Sequence, residues 1–174
     1  MEREKSNTCC FLGHRKIEIT DALVNRLSGV VENLIREERI YTFLFGSKSQ
    51  FDELCHKIVS SLQEKYPHIK RIYVRAEFPY IDERYTAYLL KSYEDTYYPE
   101  RMIHAGRAAY VERNYEMIEN SSVCVLYYDE NYWPPRRKNS RRSVTTYQPA
   151  SGTRLAYDYA ERKGIRIINM LNGI

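Results

Sequence analysis

Five short apolar runs recur along this chain, and segments with helical periodicity lie between them. The runs are TCCFL, YTFLF, IKRIYV, VCVLYY and IRIINM, at residues 8–12, 41–45, 69–74, 123–128 and 165–170. A run that is apolar on both faces suits a strand of a parallel sheet, because helices cover such a sheet on both sides. The order of runs and helices therefore predicts a doubly wound α/β fold with about five mostly parallel strands.

Helical spacing is clearest after the second run. Apolar residues recur there at the spacing of one helix face: Phe51, Leu54, Cys55, Ile58, Val59 and Leu62. A similar pattern predicts a helix over residues 21–34, with Thr20 or Asp21 as the N-cap. Further helices are expected over 108–118 and 152–162, the latter ending near Gly164, and a weaker one around 84–93 between loops.

Length and composition bound the class of protein. A chain of 174 residues fits one compact domain, so residues 1–174 are expected to form a single unit. The N-terminal MEREKSN lacks the apolar core of a signal peptide, and no uncharged apolar run approaches the roughly 20 residues that cross a bilayer. We expect a cytoplasmic protein without membrane contact, whose cysteines are reduced thiols and packing residues.

The charge is mildly basic, with a net value of +4 and 17 tyrosines. Such a balance fits a protein that handles phosphorylated ligands, but it falls short of a nucleic-acid signature. Tyrosine suits stacking pockets, half-buried surfaces and interfaces alike, so its abundance leaves these alternatives open. The sequence also leaves homo-oligomerisation open, and it predicts neither a cofactor nor a metal site.

Candidate ligand-binding residues follow the first run. Gly13, His14 and Arg15 come directly after it, at the carboxyl end of a predicted strand. Doubly wound sheets bind ligands outside the carboxyl ends of their strands, where the strand order reverses. These three residues are therefore predicted to contact an anionic ligand.

The second run is followed by GSKSQFD. Gly46 permits a tight turn, Ser47 and Ser49 offer hydroxyl groups, and the next helix points backbone N–H groups towards that turn. The spacing of a Walker A loop is absent. Ser49 is also suited to be an ordinary N-cap. Asp52 is predicted to lie near the cleft, where capping the helix or binding a ribose hydroxyl is favoured over a catalytic role.

A second turn of this kind begins the last helix. Ser151, Gly152 and Thr153 form a small, hydroxyl-bearing turn at a helix N-terminus. Arg113 and Asn114, on the helix before the fourth run, complete the predicted ligand-binding set. Alone, that pair would be interpreted as part of a solvated helix face.

Together these segments carry a family resemblance. TCCFLGHR, GSKSQFD, RNYEMIENSSVCVLYYDEN and SGTRLAYDYAERKGIRIINM resemble, in order and over nearly the whole chain, the YpsA-like branch of the SLOG superfamily. That superfamily also contains the Smf/DprA proteins and the LOG nucleotide hydrolases. The resemblance implies a Rossmann-like fold that binds a nucleotide or a nucleotide-derived ligand among the GHR, GSKS and SGT turns.

The chain also departs from these relatives. The LOG motif PGGxGTxxE supplies a catalytic glutamate three positions after its threonine, and Ala156 occupies that position here. We therefore expect no catalytic residue and no LOG-type hydrolysis. Asp158 and Glu161 are near in sequence, but they face other directions on a helix.

A basic loop is predicted at about residues 130–149. It carries a dense group of cations: Arg136, Arg137, Lys138, Arg141 and Arg142. A solvated loop is the ordinary interpretation of such a charge run. A lid over an anionic ligand and a patch that contacts nucleic-acid phosphates are the functional alternatives.

Three functions follow from the sequence. The favoured one is a sensor or regulatory module that binds a nucleotide-derived, ADP-ribose-type ligand without turnover. The alternative is a nucleotide N-glycosidic hydrolase related to LOG enzymes, which needs a positioned carboxylate. The third is a DprA-like nucleic-acid binder, which is disfavoured because the dense basic charge is confined to one loop.

Overall fold

The computed structural model describes residues 4–46, 48–103, 106–132 and 151–171. The strands of this part are β1 (Thr8–Gly13), β2 (Thr42–Phe45), β3 (Lys70–Val74), β4 (Asp95–Tyr97), β5 (Val123–Tyr127) and β6 (Arg166–Asn169). The α-helices are α1 (Asp21–Arg36), α2 (Gln50–Lys65), α3 (Glu83–Leu89), α4 (Arg107–Glu119) and α5 (Gly152–Arg162). Ser47 and the predicted basic segment at 136–142 lie outside the described residues.

All six described strands belong to one parallel sheet in the order β4-β3-β2-β1-β5-β6. The predicted doubly wound, Rossmann-like α/β architecture is confirmed, with one strand more than the five apolar runs. The additional strand, β4, has only three residues and lies at the edge of the sheet. It carries no apolar run, because an edge strand need not be buried on both faces.

The two faces of the sheet carry separate apolar cores. Cys9 and Phe11 of β1 pack with α1 and α2 on one face, whereas Cys10 and Leu12 pack with α4 and α5 on the other. Adjacent strand residues point to opposite faces, so the paired cysteines serve one core each. The Sγ atoms of Cys10 and Cys124 lie 3.2 Å apart within the second core.

Side-chain caps fix where four of the described helices begin. The capping residues each accept a hydrogen bond from the backbone N–H three residues further on: Thr20, Ser49, Asp82 and Ser151. The end of α5 is equally well defined, because Gly164 adopts a left-handed φ of 67°. The N–H groups of Gly164 and Ile165 donate to the carbonyls of Glu161 and Ala160, which is the Schellman arrangement.

Within the described residues, no helix has the length and apolar character needed to cross a membrane.

Candidate functional site

The strand order reverses between β1 and β5. From β1 the chain adds β2, β3 and β4 on one side, and it then returns to place β5 and β6 on the other. The turns that follow β1 and β5 are consequently neighbours at the carboxyl edge of the sheet. Such a switch point is where open α/β sheets form their ligand crevice.

His14 joins these two turns. Its backbone N–H donates to the carbonyl of Tyr127 (3.3 Å), and its Nε2 atom accepts a hydrogen bond from the N–H of Asp129 (2.8 Å). The imidazole ring stacks on Tyr132 with a centroid distance of 3.9 Å. With 2% of the residue exposed, His14 is a structural link at the switch point, and its Nε2 atom is already engaged.

Burial sets the protonation state of this imidazole. It lowers the pKa of His14 from its ordinary value, although the negative charge of Asp129 acts in the opposite direction. Because Nε2 accepts a hydrogen bond, the neutral ring must carry its proton on Nδ1. That Nδ1 atom is buried and has no hydrogen-bond partner among the described residues.

Arg15 points its side chain into solvent, while its backbone is fixed. The carbonyl of Arg15 accepts a hydrogen bond from the N–H of Gln50 at the start of α2 (2.9 Å). The Gln50 side chain in turn accepts from the N–H of Ile17 (2.9 Å). The turn after β1 is thus attached to α2, and the exposed Arg15 guanidinium lies at the carboxyl edge.

The N-terminus of α2 is largely satisfied by the chain itself. The N–H of Gln50 donates to Arg15, the N–H of Asp52 donates to Ser49 Oγ (3.0 Å), and the N–H of Glu53 donates to the Ser49 carbonyl (3.0 Å). These three donors are therefore engaged without a ligand. Ser49 acts as the N-cap, as one interpretation of the sequence predicted.

Gly46 lies between two helices on opposite faces of the sheet. Its N–H approaches Asp52 Oδ2 on α2 (3.5 Å), and its carbonyl accepts from Arg113 Nη1 on α4 (2.6 Å). Arg113 also donates through Nε to Asn114 Oδ1 (3.1 Å). Arg113, Asn114 and Asp52 are all buried, so the predicted residues converge on Gly46 as a buried framework.

Burial also lowers the pKa of the Arg113 guanidinium, which the Tyr73 hydroxyl and the Asp52 carboxylate partly oppose.

Close packing explains the two glycines at the ends of β1 and β2. A Cβ at Gly13 would lie 2.4 Å from Phe51 Cδ1, and one at Gly46 would lie 2.6 Å from Arg113 Cδ. Neither glycine has a positive φ. The missing side chains therefore allow α2 and α4 to approach the strand ends.

The turn Ser151–Thr153 reaches the same edge from the second face. Tyr157, four residues after Thr153, stacks on Tyr128 directly beyond β5 (4.7 Å between centroids). Thr153 is buried, whereas Gly152 is exposed with open space where a Cβ would lie. Ala156 is fully buried in the core of that face. The position of the LOG-type glutamate is therefore occupied by a core methyl group.

Sequence reasoning missed several residues of this edge. Tyr128, Asp129 and Tyr132 follow β5 as His14 follows β1, and that equivalent position was the available signal. Arg75 directly follows β3 and is 9% exposed. It was overlooked because RIYVR mixes arginines with apolar residues, so Arg75 resembled a further polar residue of the strand.

The fold and its switch point define a Rossmann-like α/β protein. No protein-family model matches the chain, and a search of curated proteins likewise found no match. Among solved structures, the chain is similar to DNA processing protein A from Helicobacter pylori, which binds single-stranded DNA. The match has a TM-score of 0.53 and 11% identity, and it covers 94% of this chain and 64% of that one.

This similarity shows a shared fold. The chain spans less than two thirds of the length of its structural neighbour. At 11% identity the similarity extends to the fold alone, so the superfamily inferred from the sequence motifs stays a prediction. Membership of the YpsA-like branch stays a prediction.

Proposed function

We propose that this chain, as a YpsA-like member of the SLOG superfamily, binds a nucleotide or a nucleotide-derived ligand of the ADP-ribose type. The ligand lies at the carboxyl edge of the sheet, and the chain acts as a sensor or regulatory module without turnover. The observation that carries the proposal is the link between His14 and Asp129. It fixes the two turns of the switch point, while the exposed Arg15 is free to contact a phosphate.

The helix termini around this link favour an anionic ligand. The exposed Gly152 lets a ligand approach the N-terminus of α5 closely, where the helix dipole stabilises negative charge. The N-terminus of α2 contributes less, since three of its N–H groups are already bonded to the chain. We therefore assign the main phosphate contacts to Arg15 and the Ser151–Thr153 turn.

The arrangement of carboxylates favours binding over hydrolysis. Cleavage of an N-glycosidic bond needs a carboxylate beside the sugar, to activate water or to stabilise positive charge on the ring. Ala156 offers none. Asp52 is 3% exposed and is directed towards the backbone N–H of Gly46, which suits a structural role or a contact with a ribose hydroxyl.

A thermal-shift screen tests the proposal. AMP, ADP and ADP-ribose are added to the purified protein, and the melting temperature is followed against ligand concentration. A ligand at about 100 times its Kd stabilises the folded state by about 2.7 kcal/mol, or roughly 5–10 °C for a chain of this size. No shift with any of these compounds would contradict the proposal.

The alternative of single-stranded nucleic-acid binding is favoured by one observation, the fold shared with DNA processing protein A. Its test is the fluorescence anisotropy of a labelled oligothymidylate at several salt concentrations. Binding through phosphates would weaken steeply and linearly in a plot of log affinity against log salt. Oligonucleotide binding without any response to the mononucleotides would favour this alternative.

A further inference from the structure

Arg75 lies at the carboxyl edge, two strands away from the switch point. It is the first residue after β3, and its backbone N–H donates to the carbonyl of Tyr97 (2.9 Å). Tyr73, two residues earlier, is in register with Phe45, so Arg75 lies beside the turn that follows β2. Its neighbours in the chain, Val74 and Ala76, are both buried.

The Arg75 side chain is largely buried, and no counter-charge is found for it among the described residues. The residue is 9% exposed, and its Nε atom is sealed from solvent without a hydrogen-bond partner. Within the part of the chain that the structure describes, no ion pair or hydrogen bond of this side chain is found. An anion that binds the remaining nitrogens would supply the missing counter-charge to this largely buried cation.

Other arginines of the same region are paired. Arg71, on β3 itself, binds Glu94 through Nε and Nη2 at 3.1 and 2.8 Å. Arg113 donates to Gly46 and Asn114. The fold therefore satisfies Arg71 near the start of β3 and Arg113 at the carboxyl edge, and the unpaired Arg75 marks a position suited to an external anion.

An exposed aromatic ring follows three residues later. Phe78 has a left-handed φ of 61° and is 58% exposed. Such backbone is unusual for a bulky residue, and strain of this kind concentrates at functional sites. Its ring contacts Tyr85 edge-on at a centroid distance of 6.2 Å. The ring thus has one aromatic neighbour and leaves more than half of the residue exposed, which suits a platform for a nucleotide base.

We infer that Arg75 and Phe78 form a nucleotide subsite, in which Arg75 binds a phosphate group and Phe78 stacks on the base. The inference deepens the proposed function and rests on it for the class of ligand. The bound nucleotide extends from the switch point towards β3. Arg75 contributes affinity for the phosphate, and Phe78 contributes discrimination in favour of a base-bearing ligand.

Three probes separate the two contributions: inorganic phosphate, ribose 5-phosphate and AMP, each measured against chloride at matched ionic strength. Arg75→Met should weaken the binding of all three roughly tenfold to a hundredfold, as expected for loss of a charge-assisted contact. Phe78→Asn removes the ring and introduces a residue that tolerates positive φ, so the backbone conformation is preserved. It should weaken AMP alone, by roughly tenfold, and leave ribose 5-phosphate unchanged.

The melting temperature of the unliganded protein supplies a second readout. Arg75→Met removes a charge that has no counter-charge among the described residues and keeps an apolar side chain of similar length, so the variant should melt at the same temperature as the wild type or higher. Arg84→Met, which removes an exposed arginine of α3, is the control for net charge and should bind all three probes normally.

The outcomes are distinguishable from failure of the proposed function. Wild-type affinity for phosphate and AMP in Arg75→Met, with a lowered melting temperature, would make Arg75 a packing residue and overturn the inference alone. Loss of phosphate binding in Arg75→Met, in a protein that ignores every nucleotide, would support the anion contact and reject the nucleotide. No wild-type response to any probe would overturn both.

Discussion

The guanidinium of Arg113, on α4, donates a hydrogen bond of 2.6 Å to the carbonyl of Gly46, at the end of β2. Asp52 approaches the N–H of the same residue from α2, on the opposite face of the sheet. A single peptide segment is thereby held from both sides. The position of the turn after β2 depends on these contacts.

Gly46→Ala should destabilise the protein by about 1–3 kcal/mol, because overpacking forces neighbouring atoms to shift. The added Cβ would lie 2.6–2.9 Å from Arg113 and from Met117 Sδ. Urea denaturation measures the change. Gly29→Ala is the matched control, since a Cβ there would meet no atom within 4 Å beyond its own helix backbone and chain neighbours. The helix should gain about 0.5–1 kcal/mol.

Arg15→Ala and Arg113→Met should affect different properties: the first ligand affinity, the second stability. Loss of the exposed Arg15 should lower affinity for a nucleotide ligand roughly tenfold to a hundredfold, with little change in stability. Arg113→Met leaves the Gly46 carbonyl without its donor, so it should lower the free energy of unfolding by about 1–3 kcal/mol. Calorimetric titration and denaturant unfolding measure the two quantities. An Arg15→Ala protein that melts early yet binds normally would make Arg15 a structural residue.

Stability should fall on acidification through His14. Burial lowers its pKa in the folded state, so the unfolded chain binds a proton more readily. The free energy of unfolding is therefore highest above the ordinary histidine value of 6.5 and decreases as the pH drops from there towards the lowered folded pKa. His14→Gln cannot titrate and should show a shallower decrease between neutral and mildly acidic pH. An identical pH dependence in both proteins would contradict this assignment.

Incubation with AMP or ADP-ribose should release no free base at an enzymatic rate. The chain lacks the LOG-type glutamate, and Asp52 is buried against Gly46. Chromatography of the reaction mixture measures the release. Turnover of about 1 per second or more, abolished in Asp52→Asn, would make Asp52 catalytic and replace the sensor by a hydrolase.

Periodicity and caps predicted most of the fold. The Thr20 and Ser49 caps and the end of α5 at Gly164 follow from local side-chain and backbone preferences, which are visible in sequence. Strand β4 was missed because its three residues show no apolar pattern. Its place at the sheet edge depends on pairing with β3, which is a tertiary contact.

The sequence indicated where the candidate site residues lie better than it indicated what each of them does. The carboxyl-edge argument correctly placed Gly13 and Gly46 at strand ends, but the side chains that require them, Phe51 and Arg113, are distant in sequence. Sequence analysis likewise cannot reveal that Arg75 is unpaired. That state depends on which described residues fold close enough to bond with its Nε atom.

The central position of β1 also sets an order for assembly. The strand can pair with β2 early in synthesis, but its other edge waits for β5, whose Cys124 is 114 residues beyond Cys10. Contacts between such distant segments form late, because a long loop must close first. Since the link between His14 and Asp129 depends on that pairing, the crevice arises only when the nascent chain has emerged through β5. A ligand that needs both turns would therefore bind only chains that extend at least through Asp129.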